Sequence, residues 1–329
     1  RQTRIPDVDT TNLAFYVEAK SLASQGLGWE AGARVERTSI KPNRALADAT
    51  GYSMQAQAVK NFIRALPDRD FTNLTGNLLL RYRLGQGSAW VGVGHGVRVP
   101  DAKEYGFINY MNNNWMLKGN PYLNETKNNE IDLGVEHQTE QWGVKVTAFY
   151  SDLTDYIYAY KSGMTTTFAN IDAHIYGGEV AANLVMFDGR VNLEGSLAYQ
   201  RGKKDSQPIA SQNDEDLAEM TPLRGRVALT YDDSTLYGRI EWLGATSQED
   251  IDEANGEKKI AGYGIINLKA GYTIGKHWAL NGGINNLLDQ TYALNNSYVG
   301  RGVISASGNN VLVLNEPGRA LYANLTYRY

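Results

Sequence analysis

The chain contains no cysteine among its 329 residues, and only 8 of them are proline. Without cysteine, no disulfide framework can hold the fold, and no wrong disulfide can form if the protein crosses an oxidising compartment. No stretch of about 18 consecutive apolar residues occurs, which excludes a transmembrane helix. The formal net charge is −4 and no stripe of basic residues is present, so no nucleic acid is expected as a partner.

The chain does contain a regular alternation of apolar and polar residues with a period of two. Over residues 191–200, apolar or small side chains occupy the odd positions and mostly polar ones lie between them. The same alternation recurs over 142–151, 223–231 and 266–274. It places one face of each strand in an apolar medium and the other face in a polar one. Because no comparable stretch has a helical period, the sequence predicts an all-β fold.

The alternating segments number about 13, and their length is that of strands that span a bilayer at a tilt, or somewhat more. The predicted spans are 11–20, 28–40, 72–84, 89–100, 127–138, 142–160, 167–186, 190–202, 221–231, 235–246, 261–274, 277–292 and 317–329. This pattern favours an antiparallel transmembrane β-barrel. A soluble all-β protein is the alternative.

The connections between these strands alternate between short and long. The short ones lie near 21–27, 85–88, 139–141, 187–189, 232–234 and 275–276. The long ones are 41–71, 101–126, 203–220, 247–260 and 293–316, and 161–166 is of medium length. Outer-membrane barrels of bacteria have short turns on one side and long outer loops on the other. A soluble sandwich or propeller has no reason to keep this alternation.

Aromatic residues mark the ends of several strands. The tryptophans concerned are Trp29, Trp90, Trp142, Trp242 and Trp278. Amphipathic rings favour the membrane interface, so these residues predict an aromatic girdle. The last strand alternates up to Tyr329, and an unpaired apolar strand at that position would invite aggregation in a soluble protein.

Five segments resemble the TonB-dependent receptors of the bacterial outer membrane. They are 119–134 (GNPYLNETKNNEIDLG), 146–157 (VTAFYSDLTDYI), 175–180 (IYGGEV), 283–292 (GINNLLDQTY) and 316–319 (EPGR). The first is similar to the family pattern GNPxLxPExxxxxExG and the fourth to NLFDxxY. Asn124 stands where the family often has proline or lysine, and Leu288 replaces the usual phenylalanine. The final motif and segment 220–225 (MTPLRG) further resemble the copper-type receptors of this family.

This resemblance implies a barrel of about 22 strands around a globular plug. Because about 13 strands and no plug-like segment are visible, residues 1–329 are expected to be the C-terminal portion of one such barrel domain. A natural small barrel is the alternative. The resemblance also implies contact with TonB through the missing N-terminal plug, and recognition of the last strand by the barrel-assembly machinery. It implies no cofactor.

No catalytic constellation is visible in the sequence. The four histidines, at positions 95, 137, 174 and 277, form no HxxxH or HExxH spacing. His95 is expected to line the lumen or to be structural. An outer-membrane protease or lipase would need a clustered nucleophile, or paired acids with a histidine. The chain is therefore not expected to be an enzyme.

The predicted outer loop 101–126 carries the candidate site. Its candidate ligand-binding residues are Tyr105, Tyr110, Met111, Trp115 and Met116. Thioether sulfur suits Cu(I) and other soft metals, so Met111, Met116 and Met164 are candidate metal ligands. The aromatic rings would equally suit a metal chelate such as a siderophore. Methionines that only pack within the loops are the structural alternative.

The sequence thus predicts an active-transport receptor of the bacterial outer membrane, in contact with its lipid. Outer loops would capture a scarce nutrient, either a metal ion or a metal chelate, for TonB-powered uptake. Basic residues on the polar strand faces are expected to line the lumen or hold the plug: Arg81, Arg98, Lys145, Arg224, Arg226, Arg239, Lys269 and Arg328. A passive outer-membrane channel or a structural barrel is the alternative function.

Overall fold

The computed structural model describes residues 7–21, 23–45, 57–111, 114–163, 165–209, 212–294, 297–299 and 312–328. Thirteen long strands follow one another in an antiparallel sheet in which each strand pairs with the next long one. They are β1 Val8–Ser21, β2 Gly26–Pro42, β3 Arg69–Leu84, β4 Gly87–Arg98, β7 Thr126–Gln138, β8 Trp142–Ser162, β9 Thr165–Met186, β10 Val191–Lys204, β11 Arg224–Asp232, β12 Leu236–Ala245, β13 Tyr263–Ile274, β14 Trp278–Asn285 and β17 Ala320–Tyr327. β1 and β17 lie at the two edges of the sheet.

Short elements lie in the long connections. A hairpin of β5 Ile108–Met111 and β6 Asn114–Lys118 lies between β4 and β7, and β15 Tyr298–Val299 pairs with β16 Leu312–Val313. The helices are α1 Gln57–Ala65 and α2 Ala102–Gly106. No helix within the described ranges is long and apolar enough to cross a membrane.

The thirteen predicted strands are confirmed, with two corrections. The strand predicted over 277–292 ends at Asn285, because Asn286 and Asp289 adopt left-handed backbone angles, φ 51° and 56°. The side chain of Asn286 bonds to the backbone of Gln290 in both directions, which closes this segment into a turn. The medium loop predicted over 161–166 is a tight hairpin, because β8 and β9 continue as strands through Ser162 and from Thr165.

The pairing register divides the side chains between two faces. Directly opposed residues of an antiparallel pair project to the same face. One such row runs Leu80–Val91–Leu133, and Leu133 is 52% exposed. We call this apolar, exposed side the outer face, which contacts lipid in a transmembrane barrel. The inner face carries the polar residues, among them Arg81 and Glu136, whose side chains lie 2.9 Å apart.

The register corrects the expected girdle position of Trp90 and the lumen-lining alternative for His95. Trp90 is directly opposite Arg81 on the inner face, with the guanidinium 4.5 Å from its ring centroid, so it is not part of an outer girdle. His95 is not in the lumen, because it lies on the outer face in the same alternation as Val91 and Val93. In the sequence of β4, glycines near Trp90 and His95 blur the alternation of apolar and polar residues. The pattern alone therefore did not show which face of the sheet these two side chains occupy. Among the five tryptophans expected at strand ends, the remaining four lie on the outer face and are 40–44% exposed: Trp29, Trp142, Trp242 and Trp278.

Candidate functional site at the loop end of the sheet

The hairpin of β8 and β9 is the tallest part of the sheet, with strands of 21 and 22 residues. A β-bulge shifts its register between Leu153 and Tyr156, and Asp155 within it has a φ of 55°. The extra residue reverses the alternation of β8 above this point. Tyr156, Tyr158 and Tyr160 therefore project to the same side as the inner-face residue Leu153.

Two long loops pack against this side of the hairpin. Leu217 and Met220 of the 205–223 loop join the cluster formed by Leu153, Tyr158 and Ile171. Gly202 allows this approach, because a Cβ there would lie only 2.8 Å from Leu217 and 2.9 Å from the Sδ of Met220. The 205–223 loop is thereby fixed against the upper part of β8, β9 and β10.

A buried polar cluster fixes the second loop, residues 246–262. Its members are Tyr158, Lys204, Asp252, Asn255 and Glu257. The side chains of Lys204 and Asp252 are both 0% exposed, with Nζ 3.2 Å from Oδ1. The Tyr158 hydroxyl donates to Asp252 Oδ2, and it accepts from Lys204 Nζ and Asn255 Nδ2. Glu257 accepts from the backbone N–H of Asp252 at 2.8 Å.

The sequence explains how the loop presents these groups. Asp252 caps a single 3-10 turn, Glu253–Asn255, and Gly256 ends it at a left-handed φ of 83°. Burial and the Asp252 carboxylate raise the pKa of Tyr158, which therefore stays protonated and donates. The buried charge pair and its hydrogen bonds thus join the 246–262 loop to β8 and β10.

The segment that resembles GNPxL fastens the 99–125 loop to the sheet. Gly119 is necessary because a Cβ there would lie 2.5 Å from the backbone nitrogen of Phe107. Asn120 donates to the carbonyl of Phe168 on β9 at 2.9 Å. Arg69 of β3 donates to the carbonyls of Pro121 and Leu123, at 2.7 and 2.8 Å.

Asn124 of this segment makes two further contacts with the sheet. Its backbone N–H donates to Asn170 Oδ1 at 2.8 Å, a bond that proline could not form. Its side chain donates to Asp155 Oδ1 at 3.3 Å. Asn124 therefore joins the 99–125 loop to the β-bulge of β8.

Tyr105 is 2% exposed, and its hydroxyl donates to the carbonyl of Pro67. Burial raises the pKa of Tyr105 to about 12. Nearby, Arg98 makes a bidentate pair with Glu104, at 2.7 and 2.9 Å. In this arrangement Tyr105 joins two loops, so its contact with a ligand would require them to separate.

The structure places the other predicted ligand residues at the β5–β6 hairpin. Tyr110 pairs with Trp115 through the backbone, and Met111 pairs with Asn114. Met116 is half-buried. Leu117 makes a parallel bridge to Thr166, which brings β6 beside the tip of the β8–β9 hairpin. Met164 lies outside the described residues.

Sequence reasoning missed two residues at the inner side of the hairpin, Tyr156 and Tyr160, which pack against the same cluster as Met220. The period-two tyrosines of TDYIYAY were a visible signal, but the bulge that turns them inward was not. Within the described ranges, no group of three His, Cys, Asp or Glu side chains could hold a metal ion.

Below the loops, paired charges cover the inner face. Arg226 Nε lies 2.7 Å from Glu241 Oε1, and Arg239 Nη2 lies 3.0 Å from Glu194 Oε2. Asn267 donates to Glu241 from the next strand, at 3.4 Å. The register places seven of the basic residues expected on the polar faces on this inner face: Arg81, Arg98, Lys145, Arg224, Arg226, Arg239 and Lys269. Arg328 lies beyond the end of β17, so the register does not test it.

The sequence profile of the family described as "TonB dependent receptor-like, beta-barrel" matches residues 2–287. The chain belongs to this family. The motifs that first indicated this family lie in the last two thirds of the chain. The profile match shows that the similarity also covers the first third of this TonB-dependent receptor. A search of curated proteins finds no match.

Several solved structures share the fold of the receptor chain. One is described as "Copper transporter OprC", with 23% identity and a TM-score of 0.79, covering 98% of this chain and 50% of that one. The ferric-catecholate import receptor Fiu from E. coli K12 has 13% identity and a TM-score of 0.67, covering 98% of this chain and 45% of that one.

A third is the hemophore receptor HasR of Serratia marcescens, in complex with the hemophore HasA and heme. It has 17% identity and a TM-score of 0.69, covering 97% of this chain and 51% of that one. The receptor chain thus spans about half the length of the structures it matches.

Proposed function

We propose that this chain contributes the loop-bearing wall of an outer-membrane receptor that takes up a metal ion or metal chelate, powered by TonB, and that it is not an enzyme. The observation that carries the proposal is the arrangement at one end of the sheet. At this end, contacts with the sheet hold the long loops in place, and the tyrosines of β8 project to the inner side. Below them, ion pairs cover the inner face. Family membership supports active uptake over a passive channel. TonB would act through a plug encoded upstream, and the barrel-assembly machinery would recognise the last strand.

We place ligand contact at the β5–β6 hairpin, with Tyr110, Met111, Trp115 and Met116, and with Tyr105 if the loops open. Met111, Met116 and Met164 would supply sulfur to a soft metal. The hairpin has two methionines and contains no histidine or cysteine, so it cannot complete a tight metal site alone. A chelate would need only aromatic and polar contacts.

Two double variants of the intact receptor distinguish a soft metal ion from a metal chelate as the ligand. If the ligand is copper, Met111→Leu with Met116→Leu should weaken Cu(I) binding at least about tenfold, which corresponds to about 1.4 kcal/mol. Calorimetry with Cu(I) measures this, and Met186→Leu, a methionine near the short turns, is the matched control. Unchanged Cu(I) binding, together with ferric-catecholate uptake that falls only in Tyr110→Ala with Trp115→Ala, would reject the soft metal in favour of a chelate. Uptake that persists without an energised inner membrane would instead indicate a passive channel.

We further propose that residues 1–329 form the C-terminal portion of one barrel domain. The length of the matched structures supports this, and so does the exposure of Leu13, Phe15 and Val17 on β1, at 76%, 73% and 60%. Expressed alone, these residues should aggregate or stay unfolded in detergent, because the edges of β1 and β17 would lack partners. Gel electrophoresis of heated and unheated samples checks this. A monomeric band whose mobility changes on heating would show a complete small barrel.

A further inference from the structure

The buried pair of Lys204 and Asp252 places a primary amine next to a carboxyl group in a site that is closed to solvent. Both side chains are 0% exposed, and Nζ lies 3.2 Å from Oδ1. Lys204 is directly opposite Ala173 of β9, which is itself fully buried. Ala173 belongs to the apolar cluster that also contains Leu153 and Leu217. The amine and the carboxyl group therefore meet in largely apolar surroundings.

Such surroundings change the relative cost of charged and neutral forms. An ammonium and a carboxylate that are buried together lose most of the hydration that stabilises them in water. Transfer of one proton from Nζ to the carboxylate, which gives a neutral amine and a carboxylic acid, is therefore less costly here than in water. A desolvated lysine amine is a nucleophile, and the carbon of the adjacent carboxylic acid is an electrophile that it can attack.

The hydroxyl of Tyr158 contacts both reacting groups. It accepts a hydrogen bond from Lys204 Nζ at 3.3 Å and donates one to Asp252 Oδ2. Asn255 Nδ2 donates to the same carboxyl oxygen at 2.9 Å. A proton that leaves Nζ therefore has a path through the Tyr158 hydroxyl to Oδ2.

We propose that Lys204 and Asp252 condense to an isopeptide bond that joins β10 to the 246–262 loop. With the first proton on Oδ2, Nζ attacks Cγ and a bond forms between these two atoms. One proton of Nζ passes through the Tyr158 hydroxyl to Oδ2, the Cγ–Oδ2 bond breaks, and Oδ2 leaves as water. Oδ1 remains as the amide oxygen. The amine and the acid supply all the atoms of the amide and the water, so the reaction needs no co-reactant.

A neighbouring ion pair provides an internal control for the effect of burial. Lys203 Nζ lies 3.3 Å from Asp216 Oδ1, nearly the same separation, but the two side chains are 27% and 22% exposed. Water reaches and solvates this pair, so we expect no condensation between them. The two adjacent lysines therefore differ mainly in their access to water.

Mass spectrometry of the full-length receptor, purified from the outer membrane, tests the proposal. The intact mass should be lower than that of the unmodified sequence by the mass of one water molecule. Trypsin does not cleave after a lysine in amide linkage, so it should release a branched peptide that joins residues 204–224 to residues 240–258. Fragmentation of this peptide should locate the bond between Lys204 and Asp252. Lys203 and Asp216 should carry no such bond.

Three variants separate the covalent bond from the ion pair. Lys204→Arg keeps the cation but replaces the amine with a guanidinium, so the loss of water should disappear. Asp252→Asn should give a product with the same mass as the crosslinked wild type, because a carboxamide condenses with loss of ammonia. Tyr158→Phe should leave most molecules without the bond, because it removes the proton path. A heat-dependent gel shift verifies that each variant has assembled.

Three results would overturn the proposal. One is a wild-type receptor with the full mass of the unmodified sequence. Another is the same loss of water in an assembled Lys204→Arg variant, which would place the modification elsewhere. The third is a loss of water without the branched peptide, which would indicate a cyclic imide at an aspartate. The wild-type peptide map decides the question even where a variant does not assemble, and it does not depend on which nutrient the receptor transports.

Discussion

Leu268→Arg is expected to destabilise the assembled sheet by about 2–4 kcal/mol, near the upper end of that range. Leu268 lies on the outer face of β13, directly opposite Ile240 and Ile284. It is midway between Tyr272, close to a short turn, and Gly264, at the loop end of the strand. An arginine there would place its charge near the centre of the hydrocarbon layer, where neither water nor a carboxylate can solvate it.

The loss of stability caused by an introduced arginine should depend on its depth in the membrane and on the face of the sheet that carries it. Leu197→Arg should cost less than Leu268→Arg, because the register puts Leu197 on the same row as Gly264, at the loop end of the sheet. Asn183→Arg is the control, since Asn183 lies on the inner face directly opposite Glu194. Urea titration of the full-length receptor in lipid vesicles gives the free energy of unfolding for all three. Similar values for Leu268→Arg and Asn183→Arg would contradict the assignment of the two faces.

Lys204→Met should release the 246–262 loop from the β8–β9 hairpin. The substitution leaves the Asp252 carboxylate buried with no cation, and removing one partner of a buried pair costs about 3–5 kcal/mol. The loss of stability should be confined to the loop, because the Lys204–Asp252 pair joins a loop to the sheet and does not join one barrel strand to the next. Because each 1.4 kcal/mol corresponds to a factor of ten, cleavage of the loop by an added protease should accelerate by about 100-fold to a few thousand-fold.

The neighbouring lysine supplies the control for this experiment. Lys203 pairs with Glu215 and Asp216 at 3.6 and 3.3 Å, but its side chain is 27% exposed. Such a pair contributes roughly 0–1 kcal/mol, so Lys203→Met should change cleavage little. Adding Asp252→Leu to Lys204→Met should restore part of the protection, because no unpaired charge then remains buried. Equal cleavage of Lys203→Met and Lys204→Met would show that the buried pair does not hold the loop.

The residues that fasten the loops were partly visible in the sequence. The GNPxL-like segment resembled the family segment that leads from an outer loop into a descending strand. The structure explains it through Gly119, Asn120 and the carbonyls to which Arg69 donates. The buried cluster was not predictable. The partners of Asp252 are Lys204 and Tyr158, which lie 48 and 94 residues earlier in the chain, so no local pattern indicates the contact.

The candidate ligand site was only partly accessible to the same reasoning. The 101–126 segment was predicted as a long aromatic loop, whereas it contains a helix and a hairpin that pack against two other loops. Tyr105 was chosen as an aromatic ligand contact, but its environment is set by Pro67, which lies 38 residues away in the chain. Composition identifies residues that could bind a ligand, and packing decides which of them a ligand can reach.

The sequence by itself determined the strands, their antiparallel order and the alternation of short turns and long loops. These features follow from the period-two pattern and from turn residues, which act over a few neighbouring positions. Only the tertiary structure decided the faces of Trp90 and His95, the reversal of β8 at Asp155 and the burial of Lys204 with Asp252. Each of these depends on the pairing register or on contacts between loops distant in the chain. A shift of one residue in β8 moves every later side chain to the opposite face, and the tyrosines that follow it face inward for that reason.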